Sequence, residues 1–441
     1  MNTKTFPHGI HPPEYKEETA EKKLQHLSPP DKVFIPLSQH FGRPADPLVK
    51  KGDPVDLGQK IGKAPALFSA AVHSSVSGKV LKVGSTHHPS GKPLLAITIK
   101  NDGEDRLSSE VKEVEDPFSL SPDRIRERVK EAGIVGLGGA AFPTAVKLAP
   151  PKDKPIDTIL INGCECEPVL TSDYRMMMEY SDDILQGAEL IRKATGAEKI
   201  IVGIEDNKKK ALSLFQEKTK GHPSTSVALL KTKYPQGAEK NLIYALLRRE
   251  VPRGGLPFDV GVVVQNVGTT KVVYDGVKHG VPLYQRSLTV AGSGIGDPQN
   301  LMVRLGTPFQ KVIDFCGGLK EDGPIVVMGG PMMGISQWTL DVPVIKGTSG
   351  ILAWKLDSPP EETACIRCGR CISHCPMRLA PTQIKKYVEF EHLSEAEEWG
   401  VLDCVECGCC QYICPSKIPL VHWMRLGKAK VSNLKRKKKS E

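Results

Sequence analysis

Cys365-Ile-Arg-Cys368-Gly-Arg-Cys371-Ile-Ser-His-Cys375-Pro376 and Cys404-Val-Glu-Cys407-Gly-Cys409-Cys410-Gln-Tyr-Ile-Cys414-Pro415 are two runs of one pattern, C-x2-C-x2-C-x3-C-P. Three thiolates at a two-residue step wrap one face of an iron–sulfur cubane, and the fourth ligand comes from the other run. The spacing therefore assigns Cys365, Cys368, Cys371 and Cys414 to one [4Fe-4S] cluster, and Cys404, Cys407, Cys410 and Cys375 to a second. Cys409 breaks the step and is left over. Four-cysteine zinc sites show paired knuckles separated by a longer loop, not three cysteines in succession. Disulfides are disfavoured by the crowding of the thiols and by the lack of a secretory signal. The predicted C-terminal unit is an α-helical, ferredoxin-like 2[4Fe-4S] domain, with Gln383 to Trp399 as one amphipathic spacer helix.

The chain has 441 residues, 39% of them apolar, which predicts several ordinary globular domains. No apolar run reaches the ~18 to 20 residues of a membrane span, and Met1 to Pro13 has neither a basic nor an apolar leader segment. A cytoplasmic location follows as the expectation. The net charge of +9 is spread out, apart from Lys435-Arg436-Lys437-Lys438-Lys439. Such a tail is a solvated end or a contact for anionic lipid or an acidic partner. With 5% aromatic residues, no stacking platform for nucleic acid is evident.

Upstream, Thr5 to Thr19 is too rich in proline and charge for a regular element and reads as an extended arm. Between Val33 and Val83, short alternating strands broken by glycine predict a small β-sandwich or barrel. Its rhythm is that of biotinyl carriers, but the turn at His73 to Gly78 lacks the carrier lysine, so a packing module with a structural His73 is expected. From Arg124 to Gln265, helical patterns (Arg124 to Ala132, Asp182 to about Thr195, Lys208 to Glu217, Ala238 to Arg249) alternate with strand patterns (Ile159 to Ile161, Lys199 to Gly203, Val227 to Leu230, Val262 to Gln265), predicting a largely parallel α/β sheet with ligands beyond the strands' carboxyl ends. Gly136-Leu-Gly138-Gly139-Ala-Ala-Phe142-Pro-Thr144 and Asn162-Gly-Cys164-Glu165-Cys166-Glu167-Pro168 fall at such positions. The bare glycine backbone suits a phosphate or a flavin ring.

These two motifs, with Tyr234-Pro-Gln-Gly237-Ala-Glu239 and Asn266-Val267-Gly268-Thr269 in the same order, resemble the flavin and NADH site of the complex I flavoprotein subunit. Together with the arm, the carrier-like module and the double cysteine run, nearly the whole chain resembles the RnfC family, peripheral subunits of Rnf ferredoxin:NAD+ oxidoreductases. The resemblance implies a multidomain α/β protein: an arm and barrel-sandwich-like β module at 1–115, a complex I flavoprotein-like FMN/NAD(H) domain at 116–280, a β-grasp SLBB domain at 281–355, the 2[4Fe-4S] domain at 356–425 and a basic tail at 426–441.

It further implies non-covalent FMN on Gly136, Gly138, Gly139, Asn162, Glu165 and Asn266, with Thr269 toward the phosphate. Phe142, Lys147, Glu167 and Glu239 would face NAD(H). Three positions depart from the motif: Ala141 stands for glycine, Leu137 for arginine and Cys164 for aspartate. Cys164 and Cys166 read as wall residues, and Met332 and Met333 as core filling in preference to the lining of an interface.

The implied activity is electron transfer: hydride between NAD(H) and flavin, single electrons between flavin and clusters, without a catalytic acid or base. Implied partners are the other Rnf subunits, among them a ferredoxin-type iron–sulfur subunit and integral membrane subunits, with ferredoxin reached through the complex, at the cytoplasmic face of the bacterial inner membrane. No nucleic acid is expected. A cobalamin reductase of microcompartments and a non-enzymatic iron–sulfur carrier are the competing readings.

Overall fold

The structure, a computed structural model, describes residues 3–320, 324–355 and 361–440, without the side chains of 438–440. In the N-terminal module a four-stranded antiparallel sheet (Lys32–Pro36, Leu94–Asn101, Gly78–Thr86, Pro54–Val55) faces a three-stranded one (Asp46–Pro47, Lys60–Lys63, Val72–His73). Alternation along each strand sends Val33, Ile35, Val80, Ile97 and Ile99 into the core between them. His73 is buried here, and burial holds its imidazole well below the usual range, neutral as a packing residue.

The second unit is a parallel sheet in the order Thr225–Leu230, Lys199–Glu205, Thr158–Gly163, Val262–Asn266. Chain order reverses between the last two strands, and a ligand crevice opens at the carboxyl side of such a switch point. The helix Ser181–Thr195 buries Ile184, Ala188, Leu190 and Ile191 on one face and is stopped by Gly196 at φ 75°. One helix, Ser172–Glu179, was not expected from the pattern. It begins where the Glu165–Pro168 stretch turns back on the sheet.

The third unit is a six-stranded mixed sheet built on Gln285–Ala291, Gln299–Arg304 and Gly350–Trp354. Leu24–His26 joins it as a parallel edge strand beside Gln299–Arg304, so the N-terminal region is woven into a unit that begins after residue 280. The cluster unit holds the short helices Arg370–Ser373 and Cys409–Tyr412 and a long Leu420–Ser440 helix. The spacer is two helices, Pro381–Glu389 and Leu393–Glu398, because Glu391 sits at φ 59° and turns the chain between them. The basic tail is the end of the Leu420–Ser440 helix. Lys428 and Lys430 pair it with Glu406 and Glu391, and Lys435 with Glu397.

The arm lies across the units. Lys4 N donates to Leu229 O at 2.9 Å, and Ile10 and Tyr234 exchange both backbone hydrogen bonds at 2.9 Å. His8 Nδ1 lies 2.9 Å from Ser373 O, and Gly9 N donates to His374 O at 3.1 Å. The arm thus straps the cluster unit to the parallel sheet.

Candidate functional site

The glycine loop is closed at its base by the Val135–Pro143 bridge and by Gly136 N donating to Phe142 O at 2.9 Å. Gly138, Gly139 and Ala140 are exposed at its tip. A Cβ on Gly138 would come within 2.6 Å of Asn266 Nδ2, so the loop reaches this amide only because the residue is glycine. A Cβ on Gly139 would meet nothing within 4 Å, so that backbone borders open space. Ala141 has φ 51°, the conformation that favours glycine, and its methyl packs inward on Ala70, Val135, Leu137 and Leu283. The cost of this departure is conformational. The methyl does not project into the space in front of the loop.

Beneath the loop, Leu137 N donates to Thr269 Oγ1 at 2.8 Å. Thr269 is fully buried and braces the loop from behind. Asn266 caps the helix Val267–Tyr274, accepting from Thr269 N at 3.2 Å, and donates through Nδ2 to Asp173 at 2.6 Å. Asn162, its register partner on the neighbouring strand, donates to Gly237 O at 2.8 Å. Lys147 and Glu239 are paired at 2.6 Å, and Lys147 also donates to Val264 O at 3.2 Å. Gly138, Asn266 and Thr269 thus form one group, Asn162 binds the Gly237 turn, and Lys147 with Glu239 form another.

The two glutamates are committed elsewhere. Both oxygens of Glu165 accept from the first turn of the Ser172–Glu179 helix, from Asp173 N at 2.6 Å and Tyr174 N at 3.1 Å. Glu167 accepts from Met332 N and Met333 N, each at 3.0 Å, on a turn of the six-stranded unit. Burial pushes both carboxyls up to about 7. Lys16 from the arm donates to the carbonyls of Glu165 at 3.0 Å and Glu167 at 2.9 Å. Met332 packs at this junction while Met333 is exposed, so neither is plain core filling.

Sequence reasoning missed four residues. Asp173 holds Asn266. Arg286, from the six-stranded sheet, is buried and reaches Leu137 O at 3.4 Å, so a guanidinium stands beside the loop position that lacks its own arginine. Burial lowers its pKa to about 10, opposed by Asp173, and it stays charged at neutral pH. Phe41 and Phe68 of the barrel module close on Phe142, with ring centroids 5.6 and 5.9 Å away. Phe41 and Phe68 are 54% and 46% exposed, which makes this an aromatic rim open to solvent beside the loop. No local signal ties Arg286, Phe41 and Phe68 to the motifs, because each comes from a distant segment, whereas Asp173 lies just past Pro168 on the helix that the pattern does not show.

At the other end, Cys375, Cys404, Cys407 and Cys410, with Cys409, line one small pocket walled by Leu379, Val405, Val421 and Met424. Burial pushes the Cys404 thiol up to about 12 and raises Cys375 and Cys410. Clustered thiols in an apolar wall are a poor place for bare thiolates and a suitable one for ligands to a polynuclear cation. Among the described residues no group converges tightly enough to hold a single metal ion. This donor set fits a cubane. Cys371 and Cys414 are buried together with Cys410 beside Ile418 and Leu420, while Cys365 and Cys368 are exposed on a stretch without regular structure. Cys164 is buried against Leu160 and Leu242, and Cys166 accepts from Gly237 N at 3.4 Å. The glycine tip, open in front of Gly139 and closed behind by Thr269, fits a flavin in the same sense.

Four family descriptions match along the chain: RnfC barrel sandwich hybrid domain at 4–104, Nuo51 FMN-binding domain at 129–275, SLBB domain at 287–336 and 4Fe-4S dicluster domain at 360–415. The chain is 47% identical over 403 residues to the RnfC-type subunit of the proton-translocating ferredoxin:NAD(+) oxidoreductase complex of Clostridium ljungdahlii, covering 91% of this chain and 88% of that one. It is 45% identical to the counterpart in the Na(+)-translocating complex of Acetobacterium woodii, covering 99% and 100%. The counterpart in the ion-translocating oxidoreductase complex of Rhodobacter capsulatus is 40% identical, covering 98% and 84%. A solved NAD+-reducing [NiFe]-hydrogenase superposes with a TM-score of 0.50 at 20% identity, over 72% of this chain and 61% of that one, which speaks to the fold alone. Among the described residues no helix is long and apolar enough to cross a membrane.

Proposed function

The chain belongs to the RnfC family of subunits of ion-translocating ferredoxin:NAD(+) oxidoreductase complexes, and from this premise we propose that it converts between hydride exchange with NAD(H) and single-electron exchange with two [4Fe-4S] clusters. As a subunit of such an oxidoreductase it carries an FMN-binding domain and a dicluster domain. FMN, when bound, exchanges a hydride with NAD(H) and single electrons with iron–sulfur centres.

The residues divide the work. Gly136, Gly138 and Gly139 let backbone approach the flavin, with Asn162 and Asn266 held in place by Gly237 and Asp173. Thr269 and Arg286 act through the loop, one bracing it and one supplying positive charge. Phe142, with Phe41 and Phe68, stacks the dinucleotide, and the Lys147–Glu239 pair borders it. Glu165 and Glu167 hold the flavin-side strand end against its neighbours. Cys365, Cys368, Cys371 and Cys414 bind one cluster, and Cys404, Cys407, Cys410 and Cys375 the other. In the direction the family implies, electrons from ferredoxin pass through the clusters to NAD+. The chain then sits at the cytoplasmic face of the membrane against integral and ferredoxin-type subunits.

The observation that carries this reading is the shared packing of Cys407 and Cys409 with Tyr234 and Cys166, which puts the thiol-lined pocket against the flavin-side strand end. Anaerobic titration of the reconstituted full chain with NADH tests it. Bleaching of a flavin band together with reduced-cluster EPR signals is expected. Clusters that accept electrons from dithionite but never from NADH would overturn it.

A further inference from the structure

Tyr234 is 1% exposed and stands between the two halves of the site. Its phenol donates to the Cys407 carbonyl at 2.7 Å. Tyr234 shares one buried cluster with Ile10, Cys407 and Cys409, against which Cys166, Met332 and Val405 pack. Two backbone hydrogen bonds with Ile10 of the arm hold its main chain, and Cys409 Sγ lies 4.0 Å from its carbonyl. The cavity beside it is lined by Lys16, Glu165, Glu205 and Cys166, and the Tyr234 hydroxyl is bonded to the backbone of Cys407, which lines the cysteine pocket.

We propose that Tyr234 is a positioning residue for the cluster held by Cys404, Cys407, Cys410 and Cys375, setting that cluster's reduction potential through the Cys407 peptide. Which cysteines hold the cluster is taken from the reading above. Cluster potentials respond to hydrogen bonds and to solvent exposure around the ligands. A donor on the Cys407 carbonyl draws electron density from a peptide attached to a ligand residue, which favours the more negative, reduced cluster. The ring excludes water from the same carbonyl. Removing the hydroxyl while keeping the ring therefore lowers the potential of this cluster and leaves the other, built on the exposed Cys365 and Cys368, where it was. The leftover Cys409 packs beside Cys407 and Tyr234 in the same buried cluster.

The test is mediated potentiometry of the reconstituted full chain with EPR detection, which needs no NADH and so decides this point even where flavin reduction fails. The signal is assigned by its loss in Cys404→Ala. In Tyr234→Phe the assigned cluster is expected to titrate at lower potential with the second cluster unmoved. Fluorotyrosine at position 234, a stronger donor of nearly the same shape, is expected to shift it the opposite way. Potentials unchanged in both variants, or both clusters moving together, would overturn the proposal. If the phenylalanine variant fails to take up clusters, the fluorotyrosine chain decides alone.

Discussion

Lys346 is fully buried, and its ammonium donates to the carbonyls of Ala71 and Gly133, each at 2.7 Å. Burial alone lowers its pKa from 10.5 to about 7. The unfolded chain then holds more protons than the folded one between about pH 7 and 10.5, so this group makes stability rise with pH across that window, by about 4 to 5 kcal/mol at most. Lys346→Met is expected to flatten that part of the pH profile relative to the parent chain, measured by urea unfolding; parallel profiles would show that the amine does not titrate there. Phe142 makes a second single-residue case. Base stacking on an aromatic ring is worth about 1 to 3 kcal/mol, so Phe142→Ala should raise KM for NADH by roughly 5- to 150-fold, with kcat less affected. The glutamates show where reading residues one at a time stops. Glu165 and Glu167 have the right type and place for nucleotide contacts, yet the first turn of an unexpected helix and a turn 165 residues away claim their oxygens. A motif gives residue identity and chain position, and neither tells which buried N–H groups lack partners.

Elements were more legible where their pattern is local. The parallel strands and the helices Ser181–Thr195 and Lys209–Lys218 lie within a residue or two of where periodicity put them, since each has one apolar face against one sheet. The helix Ser172–Glu179 was missed because Arg175 and three methionines blur its face. The spacer helix was read as continuous because its break is a single left-handed glutamate, Glu391, which periodicity does not mark. The crossed use of the two cysteine runs is an element-scale prediction. Cys375 belongs to the first run but lines the pocket of the second. Cys375→Ala should therefore remove the cluster of Cys404, Cys407 and Cys410 and halve the iron content. Loss of the other cluster's EPR signal instead would mean that each run wires itself.

At the scale of the molecule, loops and the arm hold the units together, and these have no periodic signature to read. Arg253 donates from the parallel-sheet unit to Asp403 at 2.6 Å and to the carbonyls of Glu397 and Glu398 at 2.7 and 2.9 Å, one residue short of Cys404. Arg253→Ala is expected to speed amide exchange over residues 397–404 and to cost about 1 kcal/mol of stability. Unchanged exchange there would place the restraint elsewhere, in the arm. The arm itself has a consequence in time. His8 and Gly9 find their partners at Ser373 and His374, 365 residues later in the case of His8 and Ser373. On the ribosome, where domains form in the order they emerge, Lys4 and Ile10 can pair with the parallel-sheet unit as soon as Leu229 and Tyr234 are in place, whereas His8 and Gly9 can fasten only once the cysteine-bearing helices exist. The arm is thus fastened in two stages, to the parallel sheet first and to the helix bearing Cys371 last.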